Sequence, residues 1–135
     1  MIPNFKALIE RIGVNEGFRS KPYQCSEGVW TIGHGITWVT EEESLHILSG
    51  RISQLHLKLG EKLDWYDNMP PEIQGVVIEM CYQIGFTGFT KFKRAIAHMK
   101  NKEWQLASNE MLDSLWAKQT PNRATQLAGI VAEYK

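Results

Sequence analysis

The chain is poor in cysteine. Its two residues, Cys25 and Cys81, are too few for a disulfide scaffold and lack the close Cys/His spacing of a zinc site. Histidine is sparse and scattered at His34, His46, His56 and His98, so no metal is assigned. Net charge is missing too: 15 Lys+Arg balance 15 Asp+Glu, which gives no overall field to draw the chain onto nucleic acid or a membrane surface. There is no apolar run long enough to span a bilayer, so no membrane insertion is expected. The opening residues, Met1 to Lys6, lead into charges at Lys6, Glu10 and Arg11 instead of a sustained apolar stretch. They are therefore read as no signal peptide, and the product is expected in the cytosol that makes it. Internal repeats, linkers and low-complexity segments are likewise not seen.

What is present is a chain of 135 residues, 43% of them apolar, enough for one domain with a real core. Phe5, Leu8, Ile9 and Ile12 recur at helical spacing and predict an amphipathic helix over about 3 to 14. From Phe18 to Ile36 the texture changes to Tyr23, Val29, Trp30, Thr31 and Ile32, punctuated by Pro22, Gly28, Gly33 and Gly35. That predicts a small hairpin or three-stranded antiparallel sheet, the chain's one β signal. Thr40 to Glu43 reads as a capping box opening a long helix, with Leu45, Leu48, Ile52, Leu55 and Leu59 on one side. Beyond Pro70-Pro71, the stripe Ile73, Val76, Val77, Met80, Cys81 and Ile84 is the strongest helical signal. Three further helices are expected at about 89 to 99, 102 to 116 and 121 to 134, the last capped by Thr120 with Pro121 at its first position.

The chemistry is concentrated in one run. Glu16 ends an apolar helix pattern, Cys25 follows nine residues on, and Thr31 six after that. An acid, a thiol and a hydroxyl in this order can work on a sugar, and Glu16-Gly17-Phe18-Arg19 to Gly28-Val29-Trp30-Thr31-Ile32-Gly33 resembles the active-site segment of phage-type lysozymes, glycoside hydrolase family 24. Met80 to Gly85, with Thr87 to Thr90 after it, and Ser114 to Ala124 resemble the helical lobe of the T-even members.

The resemblance implies an α+β, lysozyme-like fold of two lobes making one domain. A sheet lobe (about 15 to 40) is joined by a connecting helix (about 41 to 60) to a larger helical lobe (about 70 to 135) that takes in the N-terminal helix. It implies a muramidase cleaving the β-1,4 bond between N-acetylmuramic acid and N-acetylglucosamine in bacterial peptidoglycan. Glu16 would be the general acid, its carboxyl kept protonated by burial between lobes. Cys25 stands where many members have Asp, and would act as thiolate only if its pKa were lowered. Thr31 would hold the attacking water. Arg123 would pair with Glu16, and Tyr82 and Gln83 would line the cleft, while Trp116 would pack the helical core. Phe92 and Glu110 depart from the pattern at cleft positions, and Ile36 replaces a structural His of the T-even members. No cofactor is implied. The expected role is a monomeric phage endolysin, held in the host cytoplasm until a holin lesion admits it to the wall. A virion-associated wall hydrolase, a non-catalytic glycan-binding protein and a lytic transglycosylase are the alternatives.

Overall fold

The computed structural model describes residues 3–135; Met1 and Ile2, which begin the stretch read above for a leader, lie outside the described residues. The chain divides into two units, 1–47 and 48–135. The division falls inside a helix.

In the first unit, helix α1 spans Phe5–Glu16. Asn4 starts it, its side-chain oxygen accepting the Ala7 N–H at 3.1 Å. Gly17, at φ +70°, stops it and donates its N–H to the Gly13 carbonyl at 2.9 Å. The helix therefore runs two residues past the expected end, and Glu16 is its last member. Strands β1 (Arg19–Gln24) and β2 (Trp30–Gly33) then pair antiparallel, with Tyr23 opposite Thr31 and Gln24 opposite Trp30.

The turn between them explains that register. Cys25 donates its N–H to the Val29 carbonyl and accepts the Gly28 N–H, both at 2.9 Å, which leaves a loop of Ser26, Glu27 and Gly28. Gly28 sits at φ +79°, the left-handed position that a three-residue hairpin loop reserves for glycine. Past β2 the chain turns again: Ile32 and Ile36 exchange backbone bonds of 2.9 Å around Gly33 and Gly35, both at positive φ. The expected hairpin is present. Among the described residues a third strand is not, because Ile36 makes a single bridge before the chain leaves the sheet. Among the described residues of this unit only Thr31 is buried. α1 groups with the hairpin in the first unit.

Helix α2, Glu41–Lys62, opens with the expected capping box: Glu43 N–H to Thr40 Oγ1 at 3.1 Å, and Thr40 N–H to Glu43 Oε1 at 3.0 Å. It carries the chain into the second unit.

There a 3₁₀ turn, Tyr66–Asn68, precedes α3, Pro71–Thr90. Gly85 interrupts α3 at φ +80°, so the assigned span is two helical stretches in succession, and Phe89 belongs to it, not to the next helix. α4 (Lys93–Lys100), α5 (Trp104–Leu112), α6 (Leu115–Gln119) and α7 (Pro121–Glu133) complete the unit. The single helix expected over 102 to 116 is thus two. Ser114 makes the break: its hydroxyl donates to the Met111 carbonyl at 2.6 Å and accepts the Ala117 N–H at 3.1 Å, capping α6 as α5 ends.

Pro121 opens α7 as expected, but Thr120 gives no side-chain cap; its hydroxyl turns back to the Trp116 carbonyl at 3.0 Å. The α3 stripe is buried from Ile73 through Cys81, packed with Tyr66, Phe89, Met99, Met111 and Leu127. α5 and α7 meet through small residues, where buried Ser108 donates to the Ala128 carbonyl at 2.8 Å. No helix among the described residues is long and apolar enough to cross a membrane.

Candidate active site

The hairpin places two of the three residues singled out in the first unit. Thr31 stands opposite Tyr23 on β2, and Cys25 lies two residues beyond Tyr23, so the pleat turns the thiol and the hydroxyl to one face. Cys25 is half-buried. Its pKa lies below the ordinary 9.0: backbone hydrogen bonds at Glu27 and then Val29 favour the thiolate and outweigh the opposing effect of burial, and the Thr31 hydroxyl adds a lesser share. Thr31 has one proton and two takers, since its hydroxyl also donates to the Val29 carbonyl at 3.0 Å. A water bound here would meet its oxygen lone pairs.

Glu16 comes in from the end of α1. Its carboxylate lies against Gly35 in the turn that continues β2; a Cβ there would overlap it, and φ is +75°. The backbone at Gly35 is therefore both bent and bare to admit this side chain. His34, next to Gly35 in sequence, packs on Phe18 with ring centroids 5.3 Å apart and reaches over Gly13.

In the second unit, Arg123 in the first turn of α7 directs Nε to Oε2 of Glu79 on α3 at 2.8 Å. With Tyr82, Leu48, Ile52 and Ile78 they line a hollow of about 450 Å³, and the Tyr82 ring is half exposed there. Gln83 does not line it. Its oxygen accepts the Trp116 indole N–H at 2.8 Å and its nitrogen reaches Thr120 Oγ1 at 3.5 Å. Among the described residues no group of three or more His, Cys, Asp or Glu is placed to hold a metal.

The sequence pattern of the phage lysozyme family matches residues 14–133, from just before Glu16 to the end of α7. The chain belongs to the phage lysozyme family. Among its relatives, Probable T4-type lysozyme 2 of Dictyostelium discoideum is 25% identical, with 96% of this chain and 98% of that protein covered. Probable T4-type lysozyme 1 of the same organism is 23% identical over 97% and 95%. An endolysin of Acyrthosiphon pisum secondary endosymbiont phage 1 is 27% identical over 86% of this chain and 82% of its own length. The first of these alignments runs to 168 residues against a chain of 135, so that relative carries residues with no counterpart here.

For this phage lysozyme family member, membership makes a lysozyme-type hydrolase the general class. Arg123 has an anionic partner within its own unit, Glu79. Gln83 spends its amide on Trp116 and Thr120, and Trp116 packs in the helical core as expected. Glu79 was missed by sequence reasoning. Its signal was there: it is the one charged residue between Ile73 and Thr90.

Proposed function

We propose that the whole chain is a single lysozyme domain acting as a peptidoglycan muramidase, cleaving the β-1,4 bond between N-acetylmuramic acid and N-acetylglucosamine. The observation that carries this reading is the hairpin that sets the Cys25 thiol beside Thr31 while α1 delivers Glu16 to the turn that follows.

Glu16 gives its proton to the leaving glycosidic oxygen as the bond to the anomeric carbon breaks. The lowered pKa of Cys25 raises the fraction of thiolate, an anion suited to stabilise the oxocarbenium charge or to attack it. Thr31 offers its oxygen to the incoming water. The biological role that fits is a monomeric phage endolysin, made in the host cytoplasm and released to the wall through a holin lesion.

Clearing of purified peptidoglycan tests the reading. Wild type should clear it and leave reducing ends; anhydro ends would make it a lytic transglycosylase. Glu16→Gln should fold yet be nearly inert, and substantial turnover by it would remove Glu16 from the acid role. Cys25→Ser should lose most activity, whereas Cys25→Asp keeps or raises it. The anomeric form of the first product, read by proton NMR, separates attack by the thiolate from attack by water. A second reading follows from the thiol standing where many members hold a carboxylate: a glycan-binding protein without turnover, which would bind peptidoglycan and never clear it.

A further inference from the structure

The face of the hairpin turned away from Cys25 and Thr31 has no part in this chemistry. On it, by the alternation of the strand, lie Trp30 and Ile32 of β2, with Gln24 directly opposite Trp30. The bridge brings Ile36 beside Ile32, and the chain runs on through Thr37 to Trp38. Apart from Gln24, these residues, with Pro22, Val39 and the Thr31 that links Trp30 to Ile32, line a hollow of about 300 Å³. Trp30 is 62% and Trp38 73% exposed. Two indoles held in water beside a concavity need a reason, because single scattered apolar residues do not make a lined hollow.

The lining selects the occupant. It contains no charged residue, and acidic residues outnumber basic ones in 3–47, so nothing there would draw an anionic lipid surface or a phosphate. It does contain two large aromatic faces, with Thr37 beside them in the lining. A pyranose ring has the matching duality: C–H groups on one face to lie on an indole, and hydroxyl and acetamido groups at its rim to hydrogen-bond. The space is enough for one such ring. We infer that Trp30 and Trp38 form a second glycan-binding site, on the back of the hairpin, that holds an N-acetylhexosamine unit of an uncut strand without cleaving it. The ligand class rests on the muramidase reading; the residues do not.

The test is sedimentation of the full chain, carrying Glu16→Gln to stop turnover, with insoluble peptidoglycan and with chitin, a peptide-free N-acetylglucosamine polymer. Trp38→Ala and Trp30→Ala should each weaken binding to both polymers about fivefold. Trp38→Phe should keep most of it. Both side chains are exposed, so circular dichroism of the variants should match the parent. Unchanged polymer binding in both alanine variants overturns the inference. So does binding that these variants lose only toward phosphatidylcholine vesicles, or only as self-association in sedimentation velocity. Failure of the wild type to clear peptidoglycan, with tryptophan-dependent retention intact, would sink the muramidase reading and leave this site standing.

Discussion

Arg123 of α7 and Glu79 of α3 hold each other at 2.8 Å, with side chains 37% and 41% exposed. Such half-solvated pairs are worth little, because water screens what the geometry gains. A double-mutant cycle of Arg123→Gln and Glu79→Gln, read by urea unfolding, should return a coupling of about 0.5 kcal/mol that shrinks as salt is added. A coupling of about 2 kcal/mol or more would mean that the pair is buried in solution.

Gln83 should matter to stability more. Gln83→Leu leaves the N–H of buried Trp116 without its acceptor, a loss of about 1–3 kcal/mol. Adding Trp116→Phe removes the orphaned donor, so the double variant should recover part of that loss in the same unfolding assay. No recovery would show that packing, not the hydrogen bond, sets the cost.

The two thiols should titrate in opposite directions. Burial pushes Cys81 up to about 11, while backbone bonds at Glu27 and Val29 hold Cys25 below 9.0. Iodoacetamide at pH 8 should therefore modify Cys25 in the folded protein and leave Cys81 untouched, as read by mass spectrometry of the peptides. The folded state binds the Cys81 proton more tightly than the unfolded chain. Its stabilising contribution is full below pH 9.0 and disappears as pH rises through about 11. Buried Tyr66, pushed up to about 12, extends the same alkaline loss. Cys25 has the opposite sign: its contribution is present above 9.0 and goes as pH falls through its lowered value. Unfolding followed from pH 8 to 12 should show stability falling across that range.

Two glycines at positive φ should respond differently to alanine. At Gly28 an added Cβ meets open space, so Gly28→Ala costs only backbone strain, about 1–2 kcal/mol, and the folded protein keeps its clearing activity. At Gly35 the same strain comes with overlap on the Glu16 carboxylate. Gly35→Ala should lose more than tenfold in peptidoglycan clearing beyond what its melting curve explains. Equal activity in the two variants would show that Glu16 does not work from this position.

Much of the fold was legible because its signals are local. The capping box at Thr40 and Glu43, the glycine-marked turns and the α3 stripe each need only a few neighbouring residues to be read. The misreadings sit where the deciding contact is remote or doubly usable. Ser114 stops one helix and starts another, yet in a periodic stretch it looks like an ordinary helical polar residue. Thr120 looks like a cap until its hydroxyl is seen to prefer Trp116. For the candidate site, Glu16, Cys25 and Thr31 could be singled out because they fall in one short run, while the face they share on the hairpin came with its register. The partner of Arg123 could not, since 44 residues separate it from Glu79.

The loop of Ser26, Glu27 and Gly28 has a kinetic consequence. Joining Cys25 to Val29 closes so short a segment that little chain entropy is lost in bringing β1 and β2 together. The acid, the thiol and the hydroxyl all fall between positions 16 and 31, so no distant part of the chain must arrive before thiol and hydroxyl meet. This stretch can assemble, and be inherited, as one piece.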